Sequence, residues 1–142
     1  MSQINRKILA IARCDTQYRS EKMASFGLKS CHTSYLMNIC ANPGISQDQL
    51  AQQILINKSN VARQAAFLEE EGYIRRESSP ADRRVMELYP TQKAMDILPQ
   101  IKQILVDWEQ YITEDITEEE VEIITRVLAK MKDKAAAWMG DR

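Results

Sequence analysis

The chain has 142 residues, of which 44% are hydrophobic, 27% charged and 6% aromatic, a composition typical of a folded globular domain and not of a disordered chain. Its 19 Lys and Arg against 20 Asp and Glu give a formal charge of −1, which argues against binding of polyanions through overall charge. Its three cysteines have no CxxC spacing, which excludes a complete disulfide framework and favours a cytoplasmic location. No segment has the roughly 18 uncharged apolar residues of a membrane span and the N-terminus lacks a signal-peptide core, so we expect neither export nor membrane attachment.

Charges of opposite sign gather in different parts of the sequence. Seven acidic residues and no basic one lie between Trp108 and Thr125. The segment 74–84 instead concentrates four arginines against one glutamate and one aspartate. The chain is therefore expected to carry one basic and one acidic local surface.

Two helices are predicted before residue 45. Apolar positions at helical spacing predict an amphipathic helix from residue 2 to about residue 23, which Phe26-Gly27 ends. A second helix is predicted over residues 30–41, where Tyr35, Leu36 and Ile39 share a face before the turn residues Asn42-Pro43-Gly44.

Capping residues predict two further helices close together. Ser46 and Gln49 have the spacing of a capping box, which predicts a short helix from residue 46 to about residue 54. Asn57 is placed to cap the next helix, from Lys58 to Glu71, whose inward stripe is Val61, Ala65, Leu68 and, at its edge, Phe67. Gly72 follows at the left-handed position that ends many helices.

After Gly72 the spacing of the apolar residues changes from that of a helix to that of strands. Tyr73-Ile74 and residues 85–89 read as two short strands of a hairpin, with residues 78–82 as the turn. Thr91 is placed to cap a long helix that contains Pro99 and runs through Tyr111, and Thr117 with Glu120 forms a second capping box that opens a last helix.

The middle of the chain therefore has the layout of a winged helix-turn-helix, with two helices joined by a tight turn and followed by a β-ribbon. Polar and cationic residues at the start of the second helix suit a helix that enters the major groove, where Asn and Gln pair with adenine, Arg with guanine, and Lys or Ser with phosphate. The alternative is an ordinary solvated helix face, but the adjacent arginines and the slim alanine-rich flank favour DNA. The candidate contact residues are Asn57, Lys58, Ser59, Asn60, Ala62, Arg63 and Gln64.

On these residues the chain resembles the multiple-antibiotic-resistance regulator (MarR/SlyA-type) family. The matching motifs are Pro43-Gly44-Ile45-Ser46, Leu50-Ala51, Lys58-Ser59-x-Val61, Glu71-Gly72-Tyr73-Ile74, Asp82-Arg83-Arg84 and Thr91. The resemblance implies a mainly α fold with a small β-hairpin wing and flanking dimerisation helices. It divides the chain into an N-terminal dimerisation helix (1–28), a winged helix-turn-helix (29–92) and C-terminal dimerisation helices (93–142).

The resemblance also implies a function for these parts. A homodimer would bind a near-palindromic double-stranded operator, with half-sites about 10 base pairs apart, most often as a ligand-responsive repressor. Asp82 would orient Arg84 in the minor groove and Arg83 would follow the DNA backbone, with Arg75 and Ser79 as further wing contacts. The excess of apolar residues in the terminal helices supports the dimer, although an intramolecular bundle is the rival interpretation.

Regulators of this type commonly release DNA when a small molecule or an oxidant acts between the dimer helices and the winged domain. Candidates for a pocket that binds a small anionic or aromatic effector are Arg13, Cys14, Tyr18, Cys31, His32 and Tyr35. Oxidation of Cys14 or Cys31 is an alternative signal, because Arg13 or a helix N-terminus could lower a thiol pKa.

Other functions find less support in the sequence. His32 is the one histidine and cannot build a zinc site with one neighbouring thiol, so a structural hydrogen bond is its expected role. No phosphate-binding glycine loop, GxSxG or HExxH motif is present, so we expect no enzyme activity, no cofactor and no metal. A winged domain that binds only proteins remains the third alternative.

Overall fold

A computed structural model of the chain describes residues 3–140, which form helices with one small sheet. The elements in chain order are α1 (Gln3–Met23), a 3₁₀ turn (Ala24–Phe26), α2 (His32–Ala41), β1 (Ile45–Ser46), α3 (Gln47–Ile54), α4 (Lys58–Glu70), β2 (Ile74–Ser78), β3 (Met86–Pro90), α5 (Gln92–Ile112) and α6 (Glu118–Gly140). The predicted mainly α winged fold is confirmed. Residue 2 of the first predicted helix, and the ends of the predicted segments 1–28 and 93–142, lie outside the described residues.

The predicted caps are present and fix where helices begin. The Ser46 hydroxyl accepts a hydrogen bond from the Gln49 N–H at 3.0 Å, and the Gln49 side chain accepts one from the Ser46 N–H at 3.0 Å. The second box, Thr117 with Glu120, has the same reciprocal bonds at 2.9 and 3.1 Å. Gly72 has φ +85°, so the prediction of a left-handed residue after α4 is confirmed.

The sheet has three strands, and the prediction of a two-stranded hairpin was incomplete. Its order is β1-β3-β2 with both pairs antiparallel. The added strand, β1, lies just before α3, and Ile45 pairs with Leu88, because Gly44 and Ile45 bring the chain against β3. Two residues are too few to show a strand period in the sequence. The first hairpin strand also reaches Ser78, which the sequence placed in the turn.

The hydrophobic core lies among α2, α3, α4 and the sheet. The predicted stripe of α4 is confirmed, since Val61, Ala65 and Leu68 have no exposed surface. Further fully buried side chains come from the other elements: Tyr35, Leu36, Ile39, Leu50 and Leu88. The wing comprises β2, β3 and the loop between them. Both α4 and the wing therefore pack against the same hydrophobic core.

The described residues divide into two compact units, one ending at Val106 and one beginning at Asp107. In the second unit, α6 has no buried residue and exposes a run of large apolar side chains, among them Val121, Ile124, Val127, Leu128 and Trp138. In the first unit, α1 exposes Ile4, Leu9 and Ile11. Over residues 3–140, no helix combines the length and apolar character needed to cross a membrane.

Candidate nucleic-acid interface

The first turn of α4 is an exposed helix N-terminus that carries positive side chains. Asn57 caps it, because its Oδ1 accepts hydrogen bonds from the Asn60 N–H at 2.8 Å and from Ser59 Oγ at 2.9 Å. The Lys58 side chain is 72% exposed and its Nζ lies 3.4 Å from Asp48 Oδ2. Exposed Arg63 donates from Nη2 to Asn60 Oδ1 at 3.3 Å. The helix dipole and these cations together make the turn attractive to phosphate.

The predicted contact residues of α4 differ in how much of their side chains is exposed to solvent. Asn57, Lys58, Ser59 and Arg63 are exposed, whereas Asn60 and Ala62 are partly buried. Gln64 is also partly buried, and its Oε1 lies 2.8 Å from His32 Nε2. One end of the Gln64 amide is therefore occupied within the protein.

Contacts from α2 and from the start of α5 anchor α4, and local sequence patterns do not show them. The His32 ring stacks on Phe67 with ring centroids 4.9 Å apart and an interplanar angle of 7°. Lys93 Nζ donates to the Glu71 carbonyl at 2.7 Å, and Thr91 Oγ1 donates to the Gly72 carbonyl at 2.6 Å. These bonds give the last carbonyls after α4 partners from the start of α5.

A clamp between Glu69 and Arg76 joins α4 to the wing. The Glu69 carboxylate accepts hydrogen bonds from the Arg76 backbone N–H at 2.9 Å and from Nε at 3.1 Å, and Nη2 lies 3.0 Å from it in an ion pair. Two hydrogen bonds and the ion pair on one carboxylate fix both the strand edge and the arginine side chain. Arg76 is consequently an internal bridge, and its guanidinium is not one of the free cations of the wing.

The wing tip presents Arg84 on a carboxylate support. Asp82 accepts from Arg84 Nε and Nη2, each at 3.2 Å, and from its backbone N–H at 3.0 Å. The Arg84 side chain is nevertheless 91% exposed. These hydrogen bonds from Arg84 lower the pKa of Asp82 below its ordinary value, which keeps the supporting carboxylate ionised.

Other wing residues are placed differently from one another. Arg83 is exposed near the tip. Arg75 bonds to Glu77 at 3.1 Å and lies over the Tyr89 ring at 5.0 Å. Ser79 is buried and its Oγ accepts from the Ala81 N–H at 3.2 Å, so its hydroxyl shapes the tip loop. Sequence reasoning could have found this Ser-x-Ala turn from the Ser79-Pro80 signal alone.

The residues predicted to line an effector pocket are spread over α1 and the start of α2. Arg13 and Cys14 are exposed and Tyr18 is partly buried on α1, whereas His32 and Tyr35 are fully buried on α2. The Tyr35 hydroxyl is buried without a hydrogen-bond partner among residues 3–140. Desolvation raises the pKa of Tyr35 to about 12, so this hydroxyl is neutral.

The expectation that a helix N-terminus lowers the pKa of Cys31 was wrong. Burial raises the pKa of this thiol above its ordinary value, and this effect outweighs the lowering by Lys29, by the backbone and by Arg19. Cys31 is therefore less thiolate-like than a free cysteine. Cys14 lies exposed on α1.

Arg19, which sequence reasoning missed, ties α1 to the start of α2. Its guanidinium pairs with Asp15 Oδ2 at 2.7 Å and donates to the Ser30 carbonyl at 2.6 Å and to Thr33 Oγ1 at 2.7 Å. The Asp15-x-x-x-Arg19 spacing is a signal for the first contact only. Within the described part of the chain, no group of three or more His, Cys, Asp or Glu is arranged to hold a metal ion.

Comparison with known proteins gives relatives over nearly the whole chain. The family model described as MarR family matches residues 26–85. The uncharacterized HTH-type transcriptional regulator YybA of Bacillus subtilis (strain 168) is 27% identical over 132 residues, which are 93% of this chain and 88% of that protein.

Solved structures extend the similarity to the fold. A MarR transcriptional regulator from Methanosarcina mazei Go1 has a TM-score of 0.89 at 26% identity, with 95% of this chain and 97% of that chain covered. A MarR-family regulator from Listeria monocytogenes, crystallised with a 26mer DNA, has a TM-score of 0.92 at 27% identity, with 98% and 93% covered. The fold thus occurs in a protein whose crystal contains DNA.

Proposed function

Because the chain belongs to the MarR family of transcriptional regulators, we propose that it binds double-stranded DNA sequence-specifically, as a homodimer on a near-palindromic operator. The observation that carries this proposal is the pairing of two exposed cationic features in one compact unit. These are the capped start of α4 and the Arg84–Asp82 fork at the wing tip. The DNA in the crystal of the Listeria relative supports the same function.

In this proposal α4 is the recognition helix and its first turns enter the major groove. Lys58 and Ser59 contact phosphates, which the helix N-terminus also attracts. Arg63 contacts a base edge, with guanine as its favoured partner. The main alternative is a winged module that binds only protein. That alternative gives no role to Arg84, whose exposed side chain is oriented by Asp82.

The wing contributes contacts in the adjacent minor groove. Arg84 is exposed yet oriented by Asp82, so little conformational freedom is left for it to lose on binding. A narrow A·T-rich minor groove attracts such a guanidinium through its enhanced negative potential. Arg83 lies along the backbone and adds a phosphate contact.

The terminal helices are proposed to form the dimer, residues 1–28 from one end and 93–142 from the other. The exposed apolar side chains of α1 and of α6 support this, since each helix leaves large residues in contact with water in the single chain. A dimer buries these residues and brings two recognition helices together on one duplex.

We further propose that the protein is a cytoplasmic repressor that releases DNA when it binds a small anionic or aromatic molecule. The buried, unpartnered Tyr35 hydroxyl supports such a site, because a polar group of a ligand would satisfy it. The release of DNA by an effector is tested by measuring the affinity of the protein for its operator as salicylate, the probe, is added. Replacement of Tyr35 by phenylalanine is expected to weaken the response to the probe.

Selection from a random duplex pool, followed by binding isotherms at several salt concentrations, tests DNA binding. We expect a palindromic consensus and an affinity that falls steeply as salt rises. Arg63→Ala should change the bases selected, while Lys58→Ala should weaken all sites alike and reduce the salt slope by about 1. An affinity that does not vary with salt or sequence would favour the protein-interaction module instead.

A further inference from the structure

We propose that His32, a buried residue of α2, sets the base preference of the recognition helix by fixing which end of the Gln64 amide faces the DNA. This inference rests on the proposed function and deepens it. His32 has no exposed surface and acts only through Gln64, so it is a positioning residue. A free glutamine favours adenine, whereas a glutamine held in this way favours guanine.

The hydrogen bonds of the His32 ring settle its tautomer. The Lys29 backbone N–H points at Nδ1 at 2.9 Å. A backbone N–H can only donate, so Nδ1 must be the acceptor and carries no proton. Burial lowers the pKa of His32 below its ordinary value, so the ring is neutral and its one proton lies on Nε2.

The tautomer in turn orients the amide of Gln64. His32 Nε2–H must donate, and the atom opposite it at 2.8 Å is Gln64 Oε1. The two hydrogen bonds hold the imidazole, and the ring also stacks on Phe67 with 4.9 Å between ring centroids. Gln64 is partly buried, and its Oε1 is the end of the amide that meets His32. The amide therefore presents N–H donors outward and keeps its oxygen inside.

A group that only donates cannot read adenine in the usual bidentate way. That pairing needs the amide oxygen to accept from adenine N6 while the nitrogen donates to N7. Guanine instead offers two neighbouring acceptors, N7 and O6, to the two N–H groups. Adenine places its N6 donor where the second N–H would lie, so guanine is favoured at this position.

The first test reads the tautomer directly in the free protein. The ¹⁵N chemical shifts of the His32 imidazole should show Nδ1 unprotonated and Nε2 protonated at neutral pH. The opposite tautomer would overturn the inference without touching the proposed DNA binding, because it would require Gln64 to turn its oxygen outward.

The second test compares selection from a random duplex pool by the wild-type chain and four variants. Gln64→Met locates the base pair that Gln64 reads, since only that position should lose its preference. There, the wild-type chain should favour guanine over adenine by about fivefold or more, as a good base contact does. His32→Phe, which retains a ring to stack on Phe67 but cannot donate, should reduce this ratio to about twofold or less.

Phe67→Leu is the matched control, because it removes the stack but leaves both hydrogen bonds of His32. It should lower the unfolding midpoint yet keep the guanine preference. His32→Ala should lose the preference as His32→Phe does, which guards against an artefact of the phenyl ring. Retention of the wild-type ratio in folded His32→Phe, or an unchanged consensus in Gln64→Met, would overturn the inference. If the wild-type chain selected no sequence at all, the proposed function itself would fail.

Discussion

Replacing Glu69 by alanine is expected to loosen the wing from the recognition helix, because the Glu69 carboxylate of α4 pairs with Arg76 of β2. The carboxylate accepts one hydrogen bond from the backbone and one from the guanidinium, with which it also forms an ion pair. The Glu69 and Arg76 side chains are 39% and 27% exposed, so solvent screens the ion pair, which contributes about 1 kcal/mol or less. The backbone hydrogen bond adds about 1 kcal/mol. The free energy of unfolding should therefore fall by about 2 kcal/mol or less in urea titrations.

The effect on DNA binding separates a structural role from a role in aiming the wing. A double-mutant cycle compares the wild-type chain, Glu69→Ala, Arg84→Ala and the double variant by fluorescence anisotropy on the selected duplex. If the clamp acts through Arg84 of the wing, Glu69→Ala should weaken binding about fivefold in the wild-type chain, a coupling of about 1 kcal/mol. In the Arg84→Ala background it should have almost no effect.

Glu70→Ala is the matched control for this cycle. It removes the same charge from the same helix end, but Glu70 is exposed and the ion pair of Arg76 is with Glu69. It should leave affinity and stability nearly unchanged. Equal effects of Glu69→Ala with and without Arg84 would refute the reasoning, since additive changes mean that the clamp does not position the wing.

Three further outcomes follow from other contacts. Asp48→Asn should tighten DNA binding by about two- to fivefold at low salt, because Asp48 pairs with Lys58 at 3.4 Å and an exposed pair is worth up to about 1 kcal/mol. Asp115→Asn is the control, since it removes a negative charge elsewhere in the chain. Tighter DNA binding by both variants would argue against a local effect. Leu55 ends α3 with φ 60°, a left-handed conformation that asparagine adopts more easily than a β-branched residue. Leu55→Val should therefore be less stable than Leu55→Asn by about 1 kcal/mol in urea titrations. Equal unfolding midpoints of the two variants would contradict backbone strain at this position. Burial lowers the pKa of His32 from 6.5, so the unfolded chain binds the proton more readily and the free energy of unfolding should fall as the pH drops below about 6.5 toward the folded pKa. Calorimetry of His32→Phe should show a weaker dependence of stability on pH in this range. An unchanged pH dependence would exclude His32 as its source.

Local chemistry was enough to predict most of the fold from the sequence. The caps at Ser46, Asn57 and Thr117 involve residues three positions apart, and the left-handed Gly72 depends on its own backbone, so each was visible in a short window. The winged layout followed from the order of these elements. The strand β1 was missed because its two residues become a strand only by pairing with Leu88.

The contacts that organise the candidate site were harder to foresee because they join distant parts of the chain. His32 and Gln64 are 32 positions apart, and Tyr73 reaches the Phe26 carbonyl across 47 positions at 2.6 Å. Each such pair depends on how whole helices pack, which no local period encodes. For the same reason the sequence counted Arg76 with the other arginines of the basic hairpin surface, although its guanidinium pairs with Glu69 of α4.

The spacing of half-sites on the selected duplex tests most directly whether two copies of the chain read DNA together. Insertion of about 5 base pairs between the half-sites rotates one of them by half a turn, away from the face that the dimer contacts. We predict that this insertion lowers affinity by about a hundredfold, because the second recognition helix loses its site. The stoichiometry measured by light scattering should be two chains per intact duplex. One chain per duplex, with an affinity that ignores the insertion, would contradict the account.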